Sequence, residues 1–191
     1  MQNYTTDQIR NVVLLSHSGA GKTSLSEAML FTSGAISRLG KVDEGTTTSD
    51  YDPDEIKRKI SISLSVLPCQ RKDTKINLLD TPGYADFVAG VIAGMRVADG
   101  AIIVVCAASG VEVGTELVWR YAEERALPRL LFINKMDREN ADFYKVVEQL
   151  QSHFGRRCVP IQLPIGSHIT FQGVVDLVNM KSYSGAKEQE G

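Results

Sequence analysis

Glycine, lysine and hydroxyl side chains cluster near the N-terminus in a pattern that could bind phosphate. Residues Ser16-His-Ser-Gly-Ala-Gly-Lys-Thr23 match the phosphate-binding loop G-x-x-x-x-G-K-[ST], with Ser16 at its first glycine. In such a loop, backbone N–H groups and the start of the next helix converge on anionic oxygens. We expect Lys22 to neutralise the terminal phosphates and the Thr23 hydroxyl to ligate Mg²⁺. The alternative is a glycine-rich turn that carries a solvent-facing lysine. The predicted contacts of the loop are Ser18, Gly19, Ala20, Gly21, Lys22, Thr23 and Ser24.

A second candidate segment, Asp80-Thr-Pro-Gly83, follows the predicted strand 76–79. An aspartate that leaves a buried strand beside a phosphate loop is placed to hold Mg²⁺ through water. Gly83 would let the chain approach the terminal phosphate, where its N–H can donate. The same four residues are also an ordinary turn, because Pro and Gly favour turns anywhere. The position at a strand end favours the phosphate interpretation.

A third segment, Asn134-Lys-Met-Asp137, follows the apolar run 130–133. A carboxylate can accept hydrogen bonds from both the N1–H and the 2-amino group of guanine, a pair that adenine lacks. Asp137 would therefore select guanine, Asn134 would contact the purine edge, and the Lys135 stem would lie against the base. A simple N-cap for the next helix is the alternative. The two phosphate segments that precede it favour guanine recognition.

Each of these segments follows a predicted strand, and predicted helices lie between the strands. Strands are predicted over 11–15, 60–66, 75–79, 101–107 and 129–133, and helices up to 31 and over 85–97, 115–125 and 141–153. This alternation predicts an α/β fold with a mostly parallel sheet and helices on both faces. Ligands bind beyond the carboxyl ends of the strands in such sheets, so the three segments should meet there. The long polar stretch 34–59 is typical of a functional or disordered loop.

The composition is that of a soluble globular domain. Hydrophobic residues make up 43% of the chain, charged residues 23%, and the formal net charge is −2. This charge excludes a strongly basic domain that coats nucleic acid, so no DNA partner is expected. The longest apolar run, 101–108, falls short of the roughly 20 residues that span a bilayer, and the N-terminus lacks a secretory pattern. Three cysteines without disulfide or zinc spacing fit a reducing cytoplasm: Cys69, Cys106 and Cys158.

Together the three segments resemble the GTP-binding domain of translational GTPases, a P-loop NTPase fold of the Ras-like type. Gly45-Thr-Thr-Thr-Ser-Asp50 and the stretch 160–177 resemble elongation factor G and its close paralogues. The resemblance covers nearly the whole chain. It implies GTP or GDP and Mg²⁺ as ligands, the ribosome as partner, and a cytoplasmic monomer without membrane contact.

The resemblance also identifies the stretch 34–59 as the first switch of the family. The family switch continues to a stretch that matches Arg58-Lys-Ile-Ser-Ile62, which would place the Ser61 hydroxyl on Mg²⁺ and near the γ-phosphate. Hydrolysis would then release the loop. From the residues alone, Ser61 is a solvent-facing serine of an alternating strand. The implied metal ligands are Thr23, Ser61 and Asp80.

Four positions depart from the family pattern. Tyr84 replaces the histidine that positions the attacking water, and tyrosine is a weak base at neutral pH (reference pKa about 10). Ser18 replaces the apolar residue that forms a gate with Ile60, Gly19 replaces an aspartate linked to a monovalent cation, and Lys59 replaces a glycine. Tyr84 either positions the water or packs its ring under the switch. We expect slow hydrolysis by the free domain. The predicted catalytic residues are Lys22, Gly83 and Tyr84.

A later motif of the family is absent. Its members carry a Ser-Ala motif that contacts the base, and in elongation factor G it comes after an inserted subdomain. Here Ser184-Gly-Ala186 lies too near the guanine segment, and no strand and helix follow it. We expect a GTP-binding domain over 1–157, incomplete at its C-terminal end, and the beginning of an inserted subdomain over 158–191. This layout indicates an N-terminal fragment; a naturally short GTPase is the alternative.

Three functions remain for comparison. The first is a GTPase switch that hydrolyses GTP to GDP and phosphate on the ribosome. The second is a GTP- or GDP-sensing module with negligible hydrolysis, such as a ribosome-protection or regulatory paralogue, which Tyr84 and Ser18 favour. The third is a P-loop ATPase or kinase, which Asn134 and Asp137 oppose.

Overall fold

The computed structural model describes residues 3–185. Its strands are β1 (Ile9–Ser16), β2 (Ser65–Arg71), β3 (Thr74–Asp80), β4 (Gly100–Cys106), β5 (Arg129–Asn134), β6 (Gln162–Ile165), β7 (Gly173–Asp176) and β8 (Lys181–Ser184). Its α-helices are α1 (Lys22–Thr32), α2 (Pro53–Arg58), α3 (Val88–Val97), α4 (Val113–Glu124) and α5 (Phe143–Phe154). Short 3₁₀ helices span Thr6–Gln8, Val42–Glu44, Ala85–Phe87 and His168–Thr170. Within residues 3–185, no helix has the length and apolar character needed to cross a bilayer.

Strand β1 lies in the middle of a five-stranded sheet with the order β2-β3-β1-β4-β5. It runs parallel to β3 and β4, whereas the edge strand β2 pairs antiparallel with β3. Val13, Leu14 and Leu15 of β1 are fully buried, as expected for a strand whose two faces are both covered. The mixed, mostly parallel sheet with helices between its strands confirms the predicted α/β fold.

The chain divides into two compact units. Among the described residues, the first comprises those up to Val104 together with Val113–Phe132, and the second comprises Val105–Glu112 together with those from Ile133 onward. In the first unit, Leu30 of α1 packs in a cluster with β2 and β3, while α3 and α4 contact β1. In the second unit, β6, β7 and β8 form an antiparallel sheet. The predicted boundary at residue 157 stays a prediction, and residues 186–191 of the predicted insert, with Ala186, lie outside the described part of the chain.

The prediction of a strand over 60–66 is wrong for most of its length, because β2 begins only at Ser65. The reason is the Glu55 carboxylate, whose Oε1 accepts the backbone N–H of Ile62 at 2.8 Å and of Ser63 at 2.9 Å. These N–H groups are therefore occupied by a side chain instead of a strand ladder. Glu55 reaches them from α2, which begins after Asp52, whose side chain accepts the N–H of Asp54 at 2.8 Å. The stretch 34–59 thus contains local structure that its lack of periodicity did not predict.

Candidate functional site: a nucleotide cradle in the first unit

The loop between β1 and α1 has the backbone of a phosphate cradle. Gly19 and Gly21 have φ values of 76° and 99°, in the left-handed region that disfavours residues with a Cβ atom. Gly21 caps α1, which begins at Lys22 only a few residues after the end of β1. The first N–H groups of a helix lack partners within that helix and favour an anion. The local geometry therefore suits the predicted phosphate contacts: Ala20 is buried, Ser18 and Gly21 are half-buried, and Gly19 and Ser24 are exposed.

Lys22 points into the protein instead of into solvent. Its residue is 6% exposed, and its Nζ donates a hydrogen bond to Ser16 Oγ at 2.8 Å. Burial lowers the pKa of Lys22 to about 8, although the negative charges of Asp80 and Asp50 counteract part of this decrease. Burial of an ammonium group costs free energy unless anions lie close to it, so a phosphate group would stabilise the charged form of Lys22. Ser16, which stands where the loop pattern has its first glycine, therefore provides an uncharged hydrogen-bond acceptor for Lys22.

Two hydroxyl groups meet at the start of α1. Thr23 Oγ1 and Ser61 Oγ lie 3.1 Å apart, and Ser61 Oγ donates to Asp50 Oδ1 at 2.8 Å. Ser61 is half-buried and lies outside β2, so it is not the solvent-facing strand serine that the alternation alone predicts. Asp50 is 4% exposed, and burial raises the pKa of its carboxyl group. The structure thus brings the predicted pair Thr23 and Ser61 together and adds Asp50 to it.

Asp80 presents an unpartnered oxygen at the end of β3. Its residue is 1% exposed, and its Oδ2 accepts a hydrogen bond from Ser26 Oγ at 3.3 Å. Its Oδ1 is buried and has no hydrogen-bond partner among residues 3–185. Burial raises the pKa of Asp80, and the positive charge of Lys22 opposes that increase. A buried carboxylate oxygen without a donor fits a cation or a cation-bound water.

The residues present fit Mg²⁺. Ligands at adjacent corners of an octahedron with Mg–O bonds of roughly 2.0–2.1 Å lie about 2.9 Å apart. The Thr23 and Ser61 hydroxyl oxygens are separated by a similar distance, 3.1 Å. No group of three or more His, Cys, Asp or Glu side chains among the described residues could hold a metal by itself. A divalent cation here would therefore use hydroxyl oxygens, carboxylate-bound water and the oxygens of a bound phosphate.

Gly83 approaches the cradle closely. A methyl group at this position would lie 2.8 Å from Lys22 Nζ and 2.9 Å from Ser18 Cα, so there is room for glycine alone. Tyr84 follows it and is 43% exposed. The gate partner Ile60 is half-buried. Lys59, where the family has glycine, has a left-handed φ of 56°, which explains that glycine preference.

The guanine segment, residues 134–137, belongs to the second unit. Asn134 and Lys135 are half-buried, Asp137 is exposed, and Lys135 has a φ of 63°. The backbone N–H of His168 donates to the Met136 carbonyl at 2.8 Å, and its Nδ1 lies 3.1 Å from the Asp137 carbonyl oxygen. His168 therefore fixes the turn that carries the predicted base contacts.

The sequence did not predict that Asp50, Glu55 and His168 hold the first switch and the guanine segment in place. A signal existed for Glu55, because Asp52-Pro-Asp-Glu55 has the spacing of a capping box at a helix start. Asp50 lies in the family-like segment 45–50, but that resemblance did not indicate a contact with Ser61, and His168 offered no such signal. His168 lies 31 residues from Asp137, and Asp50 lies 11 residues from Ser61.

A strand–loop–helix phosphate cradle, an aspartate at the end of β3 and an Asn-Lys-Met-Asp sequence that starts at the last residue of β5 are the features of a P-loop guanine-nucleotide-binding domain. The chain belongs to the family of the elongation factor Tu GTP binding domain, whose model matches residues 7–189. It is similar to elongation factor G of Thermotoga neapolitana, with 47% identity over 92% of this chain and 25% of that protein. It is also similar to elongation factor G 2 of Syntrophomonas wolfei, with 41% identity over 98% of this chain and 28% of that protein.

Among solved structures, the chain is similar to the crystal structure of ttk003000868 from Thermus thermophilus. The TM-score is 0.89 at 38% sequence identity, over 95% of this chain and 27% of that one. The chain thus spans about a quarter of the length of the relatives it matches. These findings confirm the expected fold and membership of the translational GTPase family.

Proposed function

We propose that this domain is a guanine-nucleotide switch that hydrolyses GTP to GDP and phosphate with Mg²⁺, in an elongation factor G-like protein that acts on the ribosome. The observation that carries the proposal is the meeting of Lys22, Thr23, Ser61 and Asp80 around the glycine-rich loop. A buried ammonium, two adjacent hydroxyls and an unpartnered carboxylate oxygen together match the needs of a Mg²⁺-bound triphosphate.

Each of these groups has a distinct role in the proposal. Lys22 binds the terminal phosphates, and the start of α1 donates N–H groups to them. Thr23 and Ser61 would hold Mg²⁺ directly, while Asp80 and Asp50 would hold its water ligands. Mg²⁺, when bound, neutralises charge that develops on the phosphate oxygens. Asn134, Lys135 and Asp137 read the guanine base, which explains why the ligand is GTP and not ATP.

The switch follows from the way Ser61 is held. Ser61 Oγ lies 3.1 Å from Thr23 Oγ1 of α1, a contact that requires the segment that carries Ser61 to lie against this helix. The terminal phosphate and Mg²⁺ add partners that favour this arrangement, and their departure after hydrolysis removes them. The equilibrium then shifts toward release of the segment.

Hydrolysis itself depends on Gly83 and Tyr84 in this proposal. The Gly83 N–H would donate to the terminal phosphate, and the accessible Tyr84 hydroxyl would orient the attacking water. A phenol is a weak base at neutral pH, so turnover by the free domain is slow. The ribosome would provide the remaining acceleration in the full-length protein.

Asp137→Asn tests guanine recognition. The wild-type carboxylate accepts two N–H donors from guanine, whereas an amide accepts one and donates one, which suits the 2-oxo group of xanthine. We expect wild type to bind GDP and not ADP, and Asp137→Asn to prefer xanthosine diphosphate. Glu139→Gln, an exposed change in the same loop, is the matched control and should keep the GDP preference. Unchanged GDP preference in Asp137→Asn would contradict the assignment.

The ribosome is tested separately with the full-length protein. Single-turnover GTP cleavage, measured with and without ribosomes, should accelerate by at least tenfold when ribosomes are present. An equal rate under both conditions would remove the ribosome from the proposal and leave nucleotide binding in place.

A further inference from the structure

Glu27 is a fully buried carboxylate to which the proposed function gives no role. It lies on α1, one turn after Thr23, and is 1% exposed. Its two oxygens accept backbone hydrogen bonds from two separate points of the first switch. Oε2 accepts the N–H of Gly40 at 3.1 Å, and Oε1 accepts the N–H of Thr48. The side chain therefore joins the helix of the phosphate cradle to the segment that carries Asp50.

The chemistry of these contacts requires a carboxylate of this length. Burying a charge is costly unless it is fully hydrogen-bonded, and bonds from backbone N–H to an ionised oxygen are strong. The segment leaves room only for glycine at position 40, because a methyl group there would lie 2.8 Å from Glu27 Oε2 and would clash with the Thr46 carbonyl oxygen. A glutamine at position 27 would keep the volume but would direct its amide N–H₂ at a backbone donor.

A second buried carboxylate acts within the segment. Glu55 accepts backbone N–H groups from Asp52, Ile62 and Ser63, so these hydrogen bonds organise the end of the switch internally. Glu27 is thus the carboxylate that links the segment to the nucleotide helix, and Thr48 is only two residues before Asp50. A short path leads from Glu27 through Thr48 and Asp50 to Ser61, and Ser61 lies 3.1 Å from Thr23 on the same helix.

We propose that Glu27 is a positioning residue that docks the first switch on α1, so that Asp50 and Ser61 reach the Mg²⁺ side of the cradle. This inference rests on the proposed function. The loss of Glu27 should affect one nucleotide state more than the other, because the Ser61 hydroxyl would bind Mg²⁺ only when the triphosphate is present. Loss of Glu27 weakens binding of GTP analogues and leaves GDP binding intact.

Limited proteolysis of the ligand-free chain tests docking without any nucleotide. Arg38 and Lys41 are exposed trypsin sites within the segment, whereas Lys72 lies exposed in the turn between β2 and β3. We expect Glu27→Gln to accelerate cleavage after Arg38 and Lys41 by at least fivefold and to leave cleavage after Lys72 unchanged. Equal acceleration at all three sites would indicate general destabilisation, and no acceleration would show that Glu27 does not hold the first switch on α1. Either result overturns the inference.

Leu30→Val is the matched control. It trims the core face of the same helix and leaves the contacts of Glu27 in place, since Leu30 packs with Leu67 and Leu78. This variant should lower the melting temperature without selective cleavage of the segment. Selective cleavage after Arg38 in this control would also overturn the inference.

Nucleotide titration tests the functional consequence. For Glu27→Gln, the Kd of a non-hydrolysable GTP analogue should rise at least tenfold while the Kd of GDP stays within twofold. Equal effects on both nucleotides would overturn the inference. If wild type binds no guanine nucleotide, the proposed function fails, and the proteolysis comparison still decides whether Glu27 docks the segment.

Discussion

Raising the pH from 7 to 10 is predicted to stabilise the ligand-free protein through Lys22. Burial holds the pKa of this side chain at about 8 in the folded state, against an ordinary value of 10.5. The charged form is therefore penalised on folding, and the penalty is full below pH 8. Between pH 8 and 10.5 the unfolded chain binds more protons than the folded one, so the contribution of Lys22 to stability rises with pH.

The magnitude follows from the two pKa values. Their difference of about 2.5 units corresponds to roughly 3 kcal/mol, since one unit is worth about 1.4 kcal/mol. Most of this penalty, about 2 to 3 kcal/mol, is relieved between pH 7 and pH 10. The sign is opposite to that of a lysine that gains an anionic partner on folding, whose contribution would decline over the same range.

The assay is urea denaturation of the ligand-free chain at several pH values, for wild type and Lys22→Met. Subtracting the two free energies of unfolding cancels the titration of the other lysines, tyrosines and cysteines. The difference, wild type minus Lys22→Met, should increase by about 2 to 3 kcal/mol between pH 7 and pH 10. A difference that is flat or falls with pH would refute a buried, destabilised ammonium at this position.

The remaining predictions concern the residues around Lys22. Gly83→Ala should weaken GTP-analogue binding at least tenfold, because the added methyl group would lie 2.8 Å from Lys22 Nζ. Gly185→Ala is the control, since a methyl group there would have no atom within 4 Å. Wild-type affinity in Gly83→Ala would contradict the close approach of Gly83 to Lys22. Tyr84→His should accelerate single-turnover GTP cleavage at least tenfold by supplying an imidazole, and an unchanged rate would exclude position 84 from water positioning. Asp50→Asn should raise the Mg²⁺ concentration needed for half-maximal GTP-analogue binding about tenfold, because Ser61 loses a charged hydrogen-bond acceptor. Fluorescence titration with Mg²⁺ measures this concentration. An unchanged concentration would argue against the role of Asp50.

The fold and the phosphate cradle could be predicted because their signals are local. A continuous apolar run such as 101–107 indicates a strand covered on both faces, and the structure places β4 at Gly100–Cys106. The cradle depends on neighbouring residues, with Gly19 and Gly21 at left-handed φ and Lys22 at the helix start. Local conformation alone therefore determines much of the backbone geometry of the candidate phosphate site.

The packing of the first switch could not be predicted in the same way. Its contacts join residues far apart in sequence, as Glu27 does with Gly40 and Thr48, which lie 13 and 21 residues away. The alternating serines near Ser61 favoured a strand, but the Glu55 carboxylate occupies the N–H groups that a strand would need. Side-chain acceptors for backbone N–H groups override a two-residue period, and that period is all that the sequence displays there.

Calorimetry of the 191-residue chain in the presence of Mg²⁺ tests the central claim most directly. Titration with GDP and with a non-hydrolysable GTP analogue should each give saturable binding heat, whereas titration with ADP should give none. Lys22→Met should raise the Kd of both guanine nucleotides by at least a hundredfold. Absence of heat from both guanine nucleotides, or equal binding of ADP and GDP, would contradict a guanine-nucleotide site built on this cradle.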